Sequence, residues 1–241
     1  MSYLKSIKAG LEAVQDFVYP SSCLVCGAYV GSADKLICPA CWDKIDVYDH
    51  LFCANCLGVI TDKFECMRCS PEDTLPLLAY GHFGDPLGEI IRYFKHRGFS
   101  RLGPRLAGRL LDKHADLLKK LSADVIIPIP LHSYRLKLRG FNQAEILADI
   151  FGERQNIPVD KKLLRKIKNT RDQKTLDHDS REDNIRGAYG VFGQLTKNKK
   201  IMLVDDVVTT GATMREARKV LNEAGGKVVM AAVIATAGST M

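Results

Sequence analysis

The stretch I-M-L-V-D-D-V-V-T-T-G-A-T-M-R-E-A-R-K-V-L-N-E-A-G-G, residues 201–226, admits few folds. Ile201 to Val204 are apolar and partly β-branched, as in a parallel strand buried on both faces. Asp205 and Asp206 are expected to end that strand. After Val208, the small or hydroxylated Thr209, Thr210, Gly211, Ala212 and Thr213 let backbone N–H groups close around an anion. Thr213 and Glu216 have the spacing of a capping box. Ala217, Val220, Leu221 and Ala224 form one apolar helix face, and Gly225-Gly226 is a stop signal. The unit is strand, acidic pair, anion loop, helix. A helix N-terminus favours a phosphate, and adjacent carboxylates can accept hydrogen bonds from two ribose hydroxyls. No G-x-G-x-x-G follows a strand, which argues against a plain dinucleotide site.

In these residues the chain resembles the 5-phosphoribosyl-1-pyrophosphate (PRPP) loop of type I phosphoribosyltransferases. The resemblance implies an α/β fold, a parallel sheet with helices on both faces. It implies that Asp205 and Asp206 bind the ribose hydroxyls. Val208, Thr209, Thr210, Gly211, Ala212 and Thr213 would cradle the 5-phosphate, and Mg2+ would accompany PRPP.

All eight cysteines fall in C-x-x-C pairs: Cys23 and Cys26, Cys38 and Cys41, Cys53 and Cys56, Cys66 and Cys69. Each pair aims two thiolates at one tetrahedral ion, so four pairs make two structural zinc sites with no open coordination position. Pairing is sequential, or crossed with the first pair joining the third. A disulfide framework would need an oxidising compartment, which nothing here suggests. A module of residues 20–76 with so little else to bury would need its metal to fold.

Charge divides with the motifs. Residues 20–76 hold 4 basic and 8 acidic side chains, whereas residues 77–241 hold 29 and 18. The basic character therefore belongs to the part that carries the anion loop. Residues 1–19 read as an amphipathic helix, with Leu4, Ile7, Leu11, Val14, Phe17 and Val18 on one face. Its polar face has no basic excess, so packing on the neighbouring module is favoured over membrane-surface binding. No apolar run reaches the length of a membrane span and no signal peptide is evident, so a cytoplasmic location is expected.

From residue 77 a strand to Phe83, a helix from Asp85 to Phe94 and a second helix from Ser100 to about Leu121 are expected. F-K-H-R-G (Phe94 to Gly98) lies between the helices. Arg101, Arg105 and Arg109 recur every four residues, and no acid interrupts residues 90–111. This face is either solvated or a track for phosphates. His96 reads as a polar neighbour of Lys95 rather than a metal ligand. A strand over 123–130 leads into L-H-S-Y-R-L-K-L-R-G-F-N-Q, then a helix over 141–151.

F-K-H-R-G, P-I-P-L-H, R-L-K-L-R-G-F-N-Q-A and V-D-D-V-V-T-T-G-A-T behind four C-x-x-C pairs resemble the ComF family along essentially the whole chain. That family joins a double zinc ribbon to a type I phosphoribosyltransferase domain, here residues 77–241, and is linked to natural competence and DNA uptake. The resemblance implies that the loop from Pro130 to Arg135, with Leu131 and His132, contacts pyrophosphate. Arg139, Asn142 and Gln143 mark the family, and Asn142 also suits a helix N-cap. Lys161 to Lys174 carries seven basic residues against Asp172, and with Gln173, Arg181, Asn184 and Arg186 it corresponds to the loop that closes over PRPP.

Two functions are carried forward. One is a competence protein that handles single-stranded DNA, with Arg97, Arg101, Arg105, Arg109, Arg135 and Arg139 as contacts and PRPP or a 5-phosphate in its loop. A helicase or DNA-processing protein of competence would be its partner. The other is an active phosphoribosyltransferase releasing pyrophosphate, with Asp205, Asp206 and Lys95 as its catalytic set. Glutamine-dependent amidotransfer is disfavoured, because the cysteines are taken by zinc. The last expectation is architectural. The hood of the site is expected from before Ala123, either the zinc module or the segment from Leu77 to Arg97, packed beside the opening above Asp205 and Thr210 with Lys95 or Arg97 facing the pocket.

Overall fold

The computed structural model describes residues 22–31, 35–96, 99–120, 122–170 and 183–237. The amphipathic stretch 1–19, Arg97, Gln173, Lys174 and Arg181 lie outside them. The zinc module contributes α1 (Pro39–Asp43), β1 (Leu51–Cys53) and β2 (Val59–Ile60). Then come β3 (Pro76–His82), α2 (Leu87–Phe94), α3 (Leu102–Lys113), α4 (Ala115–Lys120) and β4 (Val125–Pro128). The rest are α5 (Ser133–Arg139), α6 (Gln143–Gln155), β5 (Leu164–Lys166), β6 (Tyr189–Val191), β7 (Lys200–Val208), α7 (Ala212–Glu223) and β8 (Lys227–Thr236).

The sheet is mostly parallel, as the resemblance to type I phosphoribosyltransferases implies, and lies behind a cysteine-rich ribbon. Six strands form one sheet in the order β2-β1-β3-β8-β7-β4. β3, β8, β7 and β4 are parallel, and the ribbon hairpin joins the β3 edge antiparallel, Phe52 opposite Leu77. Alternate residues feed two cores, as the strand period of two dictates. Leu78, Tyr80, Met202, Val204, Met230 and Ala232 pack beneath α2, α3 and α6. Leu77, Ala79, Ile201, Leu203, Ala231 and Val233 pack on the side of α7.

Several local expectations need correction. β7 runs past the acids to Val208 because β8 continues beside it, Asp205 opposite Val233 and Val208 opposite Thr236. Lys95 follows α2, whose Leu87, Ile90, Ile91 and Phe94 are fully buried. The helix expected to Leu121 breaks at His114, whose buried ring reaches the Ala79 carbonyl at 3.0 Å. Burial holds its pKa below the usual histidine value. Tyr189 to Val191 pairs with β5 in a separate antiparallel ribbon. No capping box forms at Thr213. Gly211, at φ +77°, is the N-cap of α7, and Glu216 instead accepts the Gly187 N–H at 2.6 Å.

Helix α5 was not anticipated. The His132 ring accepts from the Tyr134 N–H at 3.3 Å, and left-handed Gly140 closes the other end. Arg, Leu and Lys are good helix formers, yet none of the seven residues is buried. The helix therefore leaves no hydrophobic period in the sequence.

Candidate functional site

The eight thiols gather sequentially, which settles the pairing: Cys23, Cys26, Cys38 and Cys41 in one group, Cys53, Cys56, Cys66 and Cys69 in the other, all Sγ atoms of a group within 4.8 Å of one another. A tetrahedral zinc with Zn–S bonds of about 2.3 Å sets its sulfurs about 3.8 Å apart. The Cys26–Cys38, Cys53–Cys69 and Cys56–Cys66 separations are 3.6, 3.9 and 3.4 Å, so both donor sets fit the ion. Backbone N–H groups favour thiolate: Cys38 donates to Cys23 Sγ and Gly58 to Cys56 Sγ. Burial acts to raise the Cys23 thiol, but the N–H groups of Cys38, Cys26 and Val25 outweigh it and bring it down to about 6.

The second feature is a cavity of about 300 Å³ at the carboxyl end of the parallel strands, where ligands bind in open α/β sheets. Asp205, Asp206, Thr209 and Thr213 line it from β7, the turn that follows and the first turn of α7. Lys95, Leu131, Arg135 and Arg139 line it from the segments after α2 and β4, and Lys166, Thr170 and Tyr189 from the ribbon side. Val208, Gly211 and Ala212 shape a narrow crevice beside it, also bordered by Thr209 and Thr213. Thr210 turns its hydroxyl inward, toward the Ala212 N–H at 3.4 Å.

Charge in the cavity is balanced by design of the fold rather than by sequence neighbours. Lys95 Nζ stands 3.2 Å from Asp206 Oδ2. Asp205 accepts the Asp206 N–H at 2.8 Å. Desolvation, with the adjacent Asp206 charge second, pushes the Asp205 carboxyl up to about 7. Tyr189 is held well above its ordinary phenol value by burial and by Asp205, so it stays a neutral donor, and it hydrogen-bonds Thr213. Lys166 Nζ lies 5.5 Å over the Tyr189 ring. Tyr189 and Phe83 are pocket residues that the sequence reading missed, and Lys166 and Thr170 are two that it placed only within the basic run 161–174 without naming them. Tyr189 had no signal in the sequence, because only the ribbon brings it to Thr213.

The R-G-F-N-Q motif acquires a physical role. Gly140 ends α5 and Phe141 approaches Phe94, with ring centroids 6.3 Å apart. Buried Asn142 caps α6 and donates to the Ile129 carbonyl at 3.1 Å, fixing the end of β4 at the pocket wall. Gln143 accepts from Arg139 at 3.2 Å, and Arg135 donates to the Thr170 carbonyl at 3.3 Å. Both arginines thereby face the cavity. His132 caps α5 and is not among the lining residues.

The six arginines expected as one nucleic-acid surface divide. Arg135 and Arg139 belong to the cavity. Arg101, the N-cap of α3, is exposed, and Arg105 on α3 is half-buried. Arg109 stacks over Trp42 of the zinc module at 4.2 Å, so this member of the stripe is an anchor. The ribbon itself packs beside the anion loop: Arg215 of α7 donates to the carbonyls of Asn55 and Thr210. No helix among the described residues is long and apolar enough to cross a membrane.

Comparison with known proteins agrees with both halves. Residues 14–70 match the double zinc ribbon domain family and residues 106–241 the phosphoribosyl transferase domain family. Competence protein F of Haemophilus influenzae is 29% identical over 216 residues, covering 84% of this chain and 91% of that protein. DNA utilization protein YhgH of Escherichia coli K12 is 27% identical over 210 residues, 86% of each. Competence protein ComFC of Bacillus subtilis is 27% identical over 213 residues, 84% of this chain and 78% of that protein.

Proposed function

The chain belongs to the ComF family, a double zinc ribbon joined to a phosphoribosyl transferase domain, and on that premise we propose that its cavity binds PRPP and that the protein handles single-stranded DNA in competence. One observation carries the reading. An acidic pair and a hydroxyl-rich loop share a single cavity with Lys95, Arg135, Arg139 and Lys166. A sugar with a phosphate at one end and a pyrophosphate at the other asks for this division of charge. Asp205 and Asp206 accept the two ribose hydroxyls. Thr209 to Thr213, at the start of α7, receive the 5-phosphate. Lys95 leaves Asp206 for the pyrophosphate.

Magnesium suits a site whose donors are all oxygen. The ion would be held largely by the ligand's own phosphates, beside Asp205 and Asp206, and would supply charge neutralisation there. The test is a thermal melt with PRPP and magnesium. A hundredfold excess over Kd adds about 2.7 kcal/mol. The Asp205→Ala, Asp206→Ala double variant should fold and show no protection. Equal protection in both proteins refutes the assigned site.

For DNA, Arg101 and Arg105 supply a basic face outside the cavity, with Arg97 in the same stretch. Backbone binding of this kind is sequence-tolerant and falls steeply with salt. We place the protein in the cytoplasm, where zinc thiolates stay reduced, with a helicase or DNA-processing protein of competence as its partner.

A second reading, an active transferase, is favoured by Lys95 at 3.2 Å from Asp206, at the end of the cavity where leaving-group charge would develop. In it the ribose C1–pyrophosphate bond breaks, a bond from C1 to an acceptor nucleophile forms, and pyrophosphate leaves. Pyrophosphate release with candidate acceptors, with and without single-stranded DNA, decides between them. Release above the acceptor-free rate establishes turnover, and protection without release establishes a binding protein.

A further inference from the structure

The phosphate loop is not held by its own domain alone. Its outer wall is the turn of the second zinc knuckle, Cys53-Ala54-Asn55-Cys56. Gly211 faces the Ala54 carbonyl so closely that a Cβ there would overlap it, and its φ of +77° disfavours other residues as well. Arg215 spans the gap, donating to the Asn55 carbonyl on the knuckle and, at 2.9 Å, to the Thr210 carbonyl on the loop. One turn further along α7, Arg218 donates to the Glu72 and Asp73 carbonyls, just past Cys69. Asn55 also donates its side-chain amide to Cys69 Sγ at 3.6 Å, tying the turn to the metal ligands. Cys53 and Ala54 are fully buried, and the Ala54 N–H is bound to the Leu75 carbonyl at 2.8 Å, so the knuckle turn has no freedom to follow the loop elsewhere.

We propose that Arg215 locks the phosphate loop to the Cys53–Cys69 zinc knuckle, so that the loop holds its phosphate-binding shape only while that knuckle holds its metal. This rests on the reading of the loop as a phosphate site. The physical reason is the direction of the constraints. A loop of small residues binds an anion through backbone N–H groups, and those must be aimed before the ligand arrives. The aim of Thr210 and Gly211 depends on a carbonyl, that of Asn55, whose position is set by thiolates on one ion. By linkage, the ligand must in turn tighten the metal.

Arg215 is therefore a positioning residue, and two measurements test it on the full zinc-loaded chain. The first is PRPP affinity, with magnesium, for wild type, Arg215→Ala and Arg215→Lys. Arg215→Ala should bind at least tenfold more weakly with both zinc ions still present by metal analysis, and Arg215→Lys should recover part of the loss. The second needs no ligand: zinc release to a metallochromic chelator. Arg215→Ala should speed the release of one ion several-fold and leave the other unchanged, and PRPP should slow that same ion in the wild type. Wild-type affinity in Arg215→Ala, or release rates of both ions unchanged by the substitution, overturns the proposal. Wild type that fails to bind PRPP overturns the reading of the cavity instead, and the release rates then judge the Arg215 contact by itself.

Discussion

Cys23, Cys26, Cys38 and Cys41 set their metal against helix α3, where buried Trp42 lies under Arg109 and Lys113 pairs with Asp49. Cys53, Cys56, Cys66 and Cys69 set theirs against the loop that follows β7, through Asn55, Arg215 and Gly211. The two groups have the same C-x-x-C spacing and the same ligand chemistry. Their surroundings differ because β1 ends at Cys53 and is hydrogen-bonded into the sheet beside β3. The second knuckle leaves the sheet beside Pro76, the first residue of β3, and meets the start of α7, whereas the first packs against the outside of α3. Ligand spacing decides which ion fits, and the strand pairing decides which element each donor set lies against.

The sharpest way to break this comparison is to remove one metal at a time. Cys53→Ser with Cys56→Ser should lose one zinc and all thermal protection by PRPP. Cys23→Ser with Cys26→Ser should also lose one zinc and melt at lower temperature, yet keep its PRPP shift. Metal analysis with paired melts reads both, and loss of protection in the second variant would make the two sites equivalent.

Next in size is the anchor of the first site. Trp42→Ala removes a buried indole and should cost about 3–5 kcal/mol of unfolding free energy. PRPP affinity should remain within about twofold if the first knuckle has no part in the loop. Denaturant melts and a titration on the same samples check it.

A smaller effect comes from the cavity itself. Asp205 has its carboxyl near 7 against an ordinary value of 3.8. Between these values the folded protein keeps a proton that the unfolded chain has released, so stability declines as pH rises through the window and is lowest above 7. Asp205→Asn abolishes that decline. Its melting temperature should exceed that of wild type at pH 8 by a few degrees, where each kcal/mol is worth roughly 2–4 °C. The difference should vanish near pH 4, without magnesium in the buffer. A constant offset at both pH values would mean the carboxyl titrates normally.

The smallest expected change separates surface from anchor on α3. If Arg101 and Arg105 each contact one phosphate of a single strand, Arg101→Ala with Arg105→Ala should flatten the log–log salt slope by about 1.4. Arg109→Ala should leave the slope alone and cost about 0.5–1 kcal/mol of stability, because its guanidinium stacks on Trp42. Equal changes in slope from both variants would restore the single arginine track that the spacing suggested.

Much of this was legible from local pattern. The apolar run Ile201 to Val204 is a central strand because it is buried on both faces and so shows no alternation. The faces Leu87, Ile90, Ile91, Phe94 and Leu102, Leu106, Leu110 are buried as their spacing requires. Helix α5 was not legible, since an exposed helix carries no hydrophobic period. The Thr213–Glu216 spacing misled because Glu216 had a better acceptor role at Gly187, a residue distant in sequence.

By itself the sequence determined the metal chemistry, the parallel core and the acid pair with its loop. Each is encoded within a few residues by ligand spacing, hydrophobicity or small side chains. Only the tertiary structure decided that the cysteines pair sequentially, that Lys95 meets Asp206 and that Tyr189 meets Thr213. Only it decided that Arg215 reaches the second knuckle while Arg109 is occupied by Trp42. These partners lie on different strands and helices. Their meeting depends on strand order and on the edge at which the ribbon joins the sheet, which no local pattern carries.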